Sequence, residues 1–290
     1  MPEPTSTPTA GVIGLGMMGS GIAVTLDAAG LLGAAYDVQP AVFDSFPQLV
    51  DRSRPTAADL AASVDVAFLV VVDRAQLEDV LFSAGGVVEG AHPGLVACLC
   101  STVTAADVEE LAARAADSGL TLVDVGIAGG PDAAASGNLL TTIGADDEVY
   151  ERIRPCLEAM SVRAIHAGPL GAGMKLKLVK NALSFMTMCA VHEALLLGEE
   201  LGFSSQLVKE VAADSNLVDH FFWFPMGRPS ARPYGSDVDA KMLGANRHFA
   251  DLARKDVAAA AAAADSVGMD HPVMDLTIAQ ASRYFLLPED

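Results

Sequence analysis

Short apolar runs alternate with longer mixed stretches through the first half of the chain. Val12–Gly14, Leu32–Asp37, Val64–Val72, Gly94–Cys100 and Leu120–Val125 are rich in Val, Leu and Ile and read as buried strands. Gly19–Ala29, Ala75–Phe82 and Ala105–Ala116 lie between them and read as helices. Near-continuous apolar strands in this rhythm predict an α/β fold, a doubly wound parallel sheet covered on both faces. Leu139–Ile143 and Val162–His166 add two further strands. Beyond His166 the segment HAGPLGAG breaks the pattern, and the rest of the chain reads as helical almost throughout. Met174–Leu201 predicts one helix about 40 Å long. Asp251–Val267, with the alanine run Ala258–Ala264, predicts another. The expected division is a sheet domain over residues 1–169 and an all-helical domain over residues 170–290, with the boundary near Pro169.

Composition narrows the class. Of 290 residues 51% are hydrophobic and 19% charged, which excludes intrinsic disorder. Eighteen Lys and Arg against 37 Asp and Glu leave a net charge of −19, which repels a phosphate backbone and argues against nucleic acid as a partner. The most apolar stretch, Leu176–Leu201, is interrupted by Lys177, Lys180, His192 and Glu193, so no membrane span is expected. The opening MPEPTSTPTA lacks the basic and apolar regions of a signal peptide and reads as a polar tail. Cys98, Cys100, Cys156 and Cys189 are too few for a disulfide framework, and no His/Cys spacing suggests a metal. The expectation is a soluble, reduced, cytoplasmic protein.

The first strand runs into Gly14-Leu15-Gly16-Met17-Met18-Gly19, a GxGxxG that opens a helix. Gly14 permits a tight turn, Gly16 lets a pyrophosphate approach the backbone, and Gly19 lets helix and strand pack closely. Free amides at the helix start then face the phosphates. Asp37 ends the second strand, 18 residues past Gly19, where a carboxylate accepts hydrogen bonds from the adenosine ribose. This combination predicts a Rossmann-type dinucleotide site. The carboxylate would repel a 2′-phosphate, and no Arg lies among residues 36–43, so NAD is favoured over NADP.

From about Gly11 to Pro272 the chain resembles the β-hydroxyacid dehydrogenase family, which includes 3-hydroxyisobutyrate dehydrogenase. GVIGLGMMGSGIA resembles the family's N-terminal signature, and Cys100-Ser101-Thr102-Val103 its serine-threonine turn. The stretch from Asp124 to Pro131, DVGIAGGP, resembles its substrate loop. Gly171 to Asn181, GAGMKLKLVKN, resembles the motif bearing its catalytic lysine, and Phe249 to Asp256, FADLARKD, its late motif. The resemblance implies Lys177 and Asn181 as catalytic residues and Gly14, Leu15, Gly16, Met17, Met18, Gly19, Asp37, Ser101, Thr102 and Lys255 at the cofactor. Ala128, Gly129 and Gly130 are implied on the substrate side. Two positions of the substrate loop depart from the family pattern. Ala128 replaces the loop's usual serine, which removes one polar anchor, and Gly126 replaces its usual proline. Together they would leave room for a larger substituent.

Hydride transfer from a carbinol needs a group to take the hydroxyl proton. Lys177 and Asn181 are four apart and share a helical face. Burial would depress the lysine's pKa. Lys175 lies about 200° from Lys177 around the helix and reads as solvated, while Lys180, about 60° away, stays open between surface and site. Consecutive amides at Gly129 and Gly130 would cradle a carboxylate. Lys255 either reaches cofactor or substrate or pairs with Asp251 on its own helix.

His166 reads as a structural histidine. The aromatic patch from His220 to Pro225 reads as core, interface or pocket wall. The expected activity is reversible NAD-dependent oxidation of a 3-hydroxyacid or related alcohol, in a cleft between the domains of a homodimer or homotetramer. The alternatives are an imine reductase, which normally has Asp or Tyr where Lys177 stands, and a non-catalytic dinucleotide-binding scaffold.

Overall fold

Every residue of β1 (Ala10–Ile13), β3 (Val66–Leu69) and β4 (Val96–Leu99) is buried, because both faces of the sheet are covered. Successive residues serve opposite cores. Val12, Phe68 and Cys98 pack with Ile22 and Leu26 of α1 (Gly19–Ala28) and with Ile153 and Leu157 of α6 (Asp147–Met160). Ile13, Leu69 and Leu99 pack with Leu77 and Leu81 of α3 (Arg74–Phe82) and with Val108 and Leu111 of α4 (Ala105–Ala116). Local sequence sets the helix starts. Asp73 caps α3, and Thr104 with Asp107 forms a capping box at α4. The computed structural model describes residues 7–215 and 238–287. The aromatic patch at residues 220–225 lies outside them.

The remaining strands are β2 (Leu32–Tyr36), β5 (Thr121–Ala128), β6 (Leu139–Gly144) and β7 (Ser161–Gly168). The order across the sheet is β2-β1-β3-β4-β5-β6-β7. The first five strands are parallel, as expected for a doubly wound sheet. β6 runs antiparallel to β5, and β7 follows β6 in parallel, so the last two strands depart from the all-parallel expectation. Residues 129–138, with the short helix α5 (Gly130–Ala135), join β5 to β6. A parallel crossover needs about a dozen residues or more, and the chain turns back instead. Chain order reverses between β2 and β3, on either side of β1, the switch point where ligands bind in such sheets.

The chain divides into two compact units, residues 1–181 and 182–290. β7 ends at Gly168 and α7 (Ala172–Glu200) begins at Ala172, so the secondary structure changes near Pro169. The opening turns of α7, to Asn181, still belong to the first unit. In the second unit α8 (Ser205–Asp214) is capped by Ser204, and two further helices span Ala240–Ser266 and Pro272–Tyr284. The buried Glu193 carboxylate accepts the amides of Val273 at 2.9 Å and Met274 at 2.8 Å, capping the last of these. Among the described residues no helix is long and apolar enough to cross a membrane.

Candidate active site

The glycine-rich turn has the geometry its residues require. Gly14 sits at φ +89°, and a Cβ there would come within 2.5 Å of the Val70 carbonyl oxygen. A Cβ on Gly19 would run into the Gly14 carbonyl, so helix and strand approach as closely as the motif implies. At Gly16 a Cβ would meet nothing within 4 Å, leaving the backbone open to a ligand. The Leu15 amide donates to Asp37 Oδ2 at 2.7 Å, and the Gln39 amide to Oδ1 at 2.8 Å. Asp37 therefore pins the turn to the end of β2, a role that the ribose assignment did not include. Each carboxylate oxygen keeps acceptor capacity for a sugar hydroxyl.

Two cavities meet along this turn. One, of about 490 Å³, is lined by Gly14, Gly16, Asp37 and Asp79 and carries no basic side chain. The other, of about 440 Å³, is lined by Gly16, Met17, Met18, Ser101, Thr102, Ala128, Gly129, Gly130, Lys177, Lys180 and Asn181. Gly16 and Val70 to Val72 border both. An open glycine backbone, an acceptor at the β2 end and two adjoining cavities fit a dinucleotide. The absence of a cation from the Asp37 cavity, among the described residues, fits NAD better than a 2′-phosphate.

Lys177 reaches the second cavity because α7 is fastened at its start. Asp124, fully buried in β5, accepts the amides of Gly171 and Met174. Burial pushes its carboxyl upward in pKa, and these two amides oppose that rise. Thr142 Oγ1 donates to the Gly173 carbonyl at 2.9 Å. A Cβ on Gly173 would come within 2.5 Å of the Thr142 carbonyl oxygen, so the glycine lets α7 press onto β6. Asp124 was legible as the first residue of a motif, but its capping role was not. Thr142 carried no sequence signal beyond a hydroxyl in an apolar strand.

Only 6% of Lys177 is exposed, and its Nζ lies 3.5 Å from the Cys100 carbonyl oxygen, to which it donates. Burial lowers its pKa below the ordinary lysine value, and the Lys180 charge acts in the same direction. Burial also pushes the Cys100 thiol up to about 12, so a neutral thiol sits beside the lysine near neutral pH. Asn181 lines the same cavity. Gly126 packs against the lysine stem: a Cβ there would come within 2.7 Å of Lys177 Cβ and 2.5 Å of Thr142 Oγ1. The expectation that Gly126 frees space for substrate is corrected here, since the lysine and Thr142 occupy that space.

Gly129 and Gly130 adopt φ of +130° and +80°, which suits glycine and turns the chain into α5. Ser101 is buried and its hydroxyl donates to the Val71 carbonyl at 2.6 Å, while Thr102 is exposed. Leu15 is buried, and Met17 is 80% exposed at the cavity edge. Lys175 is exposed and pairs with Glu109 at 3.6 Å. His166 is stacked on Tyr150, its Nε2 2.7 Å from the Ala145 carbonyl oxygen, as a structural histidine would be. Lys255 lies exposed on the Ala240–Ser266 helix of the second unit, where Asp251 pairs with Arg254 at 2.9 Å.

Comparison with known proteins agrees with this geometry. Residues 9–168, more than half of the chain, match the family described as the NAD binding domain of 6-phosphogluconate dehydrogenase. An uncharacterized oxidoreductase of Mycobacterium tuberculosis (strain CDC 1551 / Oshkosh) is 30% identical over 273 residues, covering 94% of this chain and 91% of that protein. A protein named NAD-dependent L-serine dehydrogenase, from Pseudomonas aeruginosa, is 30% identical over 204 residues, covering 70% and 68%. A crystal structure from Mycobacterium avium 104 superposes with a TM-score of 0.81 at 29% identity, covering 97% of this chain and all of that one. An imine reductase from Pseudomonas sp. gives a TM-score of 0.77 at 20% identity, covering 95% and 92%, a likeness of fold alone. With the glycine turn, the β2 carboxylate and the fastened lysine in place, the chain belongs to the β-hydroxyacid dehydrogenase family, whose N-terminal domain is the NAD binding domain of the 6-phosphogluconate dehydrogenase type.

Proposed function

We propose that this protein oxidises a 3-hydroxyacid or related alcohol reversibly with NAD, using Lys177 as general acid and base. The observation that carries the reading is the buried, pKa-lowered Lys177 in the wall of the 440 Å³ cavity that also contains the glycine turn. NAD, when bound, supplies a hydride acceptor for the carbinol carbon. Gly14, Leu15, Gly16, Met17, Met18, Gly19 and Asp37 would hold it, with Ser101 and Thr102 as further contacts. Lys177 Nζ takes the hydroxyl proton during oxidation and returns it during reduction. Its lowered pKa makes the proton easier to release than from an ordinary lysine. Asn181 orients the substrate oxygen without adding charge. The amides of Gly129 and Gly130, beside Ala128, receive the carboxylate.

The same reading includes a sheet domain over residues 1–169 and a helical domain over residues 170–290. It includes assembly as a homodimer or homotetramer in the cytoplasm, with neither nucleic acid nor membrane as partner. The test is turnover of a panel of 3-hydroxyacids, alcohols and cyclic imines with NAD and NADP. Oxidation of hydroxyacids with NAD, lost in Lys177→Ala, is the expected result. Imine reduction with no alcohol oxidation would transfer the protein to the alternative class. Dinucleotide binding without any turnover would favour the scaffold.

A further inference from the structure

We propose that a second, apolar chamber beside Lys177 is a specificity pocket for a branched aliphatic or phenyl-sized substituent of the substrate. The inference rests on the reading of the Lys177 cavity as the substrate end. The chamber has a volume of about 160 Å³ and is walled by Ala128 of β5, Leu140 and Thr142 of β6, Ile165 of β7 and Leu176 of α7. It shares Ala128, Lys177 and Lys180 with the 440 Å³ cavity. A molecule reacting at Lys177 Nζ therefore has the chamber within reach.

Apart from the two lysines at its border with the 440 Å³ cavity, the walls offer mostly hydrocarbon. Leu140, Ile165 and Leu176 are aliphatic, and the Thr142 hydroxyl is committed to the Gly173 carbonyl. Ala128 turns a methyl toward the space where a serine would place a hydroxyl. A polar substituent would lose its hydration against the aliphatic walls, whereas an apolar one gains by leaving water. An apolar cavity of ~150 Å³ is enough to hold benzene, which sets the size of the group. The stem of Lys177 closes one side, since it fills the space left by Gly126. The substituent and the reacting hydroxyl would then lie on adjacent faces of the same lysine.

Binding separates this inference from the reaction it serves. Propanoate, 4-methylpentanoate and 3-phenylpropanoate, which cannot be oxidised at a carbinol, are titrated calorimetrically into the full chain with NAD. Affinity is expected to rise roughly ten- to a hundredfold along the series. Leu140→Phe, and separately Ile165→Phe, fill the chamber from different walls and should abolish that rise, with NAD affinity as the control for folding. A flat series in the wild type, or a rise that survives both variants, overturns the chamber. Turnover of the corresponding 3-hydroxyacids is measured apart. A binding gradient without turnover would support the chamber and count against the dehydrogenase reading, while turnover with a flat series would do the reverse.

Discussion

Gly126 and Lys177 share one space: a Cβ on residue 126 would come within 2.7 Å of the lysine Cβ and 3.0 Å of its Cδ. The lysine stem therefore lies on bare backbone of β5. Gly126→Ala should push the stem away and displace Nζ from the reacting oxygen. Misplacement by about 1 Å can cost roughly 10² in rate. A drop in kcat of about ten- to a hundredfold with unchanged NAD affinity is expected, and full activity in the variant would show that the stem moves freely.

Removing the proton-transfer group has a larger effect. Lys177→Ala should lower kcat by about 10² to 10⁴ while NADH titration stays close to wild type. Asn181→Ala should lose less, because it orients and does not transfer the proton. A Lys177→Ala enzyme that keeps most of its kcat would remove the lysine from the mechanism.

The pH profile carries the sign of the lysine's environment. Oxidation needs Lys177 unprotonated, so kcat rises with pH through its pKa. Burial first, and then the Lys180 charge, hold that pKa below the ordinary lysine value. Lys180→Met removes the neighbouring charge, makes protonation easier and should move the rising limb to higher pH. Lys180→Arg should leave the limb in place. A limb that moves to lower pH in the methionine variant would contradict the electrostatic account.

Asp37 joins cofactor choice to loop order. Asp37→Ala should weaken NADH binding and narrow the gap to NADPH, because repulsion of a 2′-phosphate is lost. It also strips the Leu15 amide of its acceptor. A hydrogen bond to a charged group contributes about 1.5–3 kcal/mol, so the melting temperature should fall as well. Fluorescence titration with both cofactors and a thermal melt check the two effects. Tighter NADPH than NADH binding in the wild type would refute the preference.

Ala128→Ser adds a hydroxyl to the lining of the substrate cavity. Short hydroxyacids should gain about ten- to a hundredfold in kcat/KM from the added hydrogen bond. High wild-type activity on the shortest acids, unchanged by the serine, would show that the Gly129 and Gly130 amides are sufficient.

The strands, the glycine turn, the long helix and the Lys177–Asn181 pair were legible because each depends on local periodicity or on residues a few positions apart. A helix spaces residues 177 and 181 onto one face whatever surrounds it, and φ near +89° at residue 14 suits glycine in any fold. The direction of β6 depended on how far residues 129–138 can reach, and the apolar pattern of a strand does not record its direction. Asp124 caps α7 from 47 and 50 residues away in sequence. Gly126 meets Lys177 only because β5, β6 and α7 converge. The 160 Å³ chamber is drawn from four separate elements for the same reason. Short-range spacing determined which groups the chain carries. Long-range packing of the sheet against α7 decided which of them touch, because contacts between distant segments leave no period in the sequence.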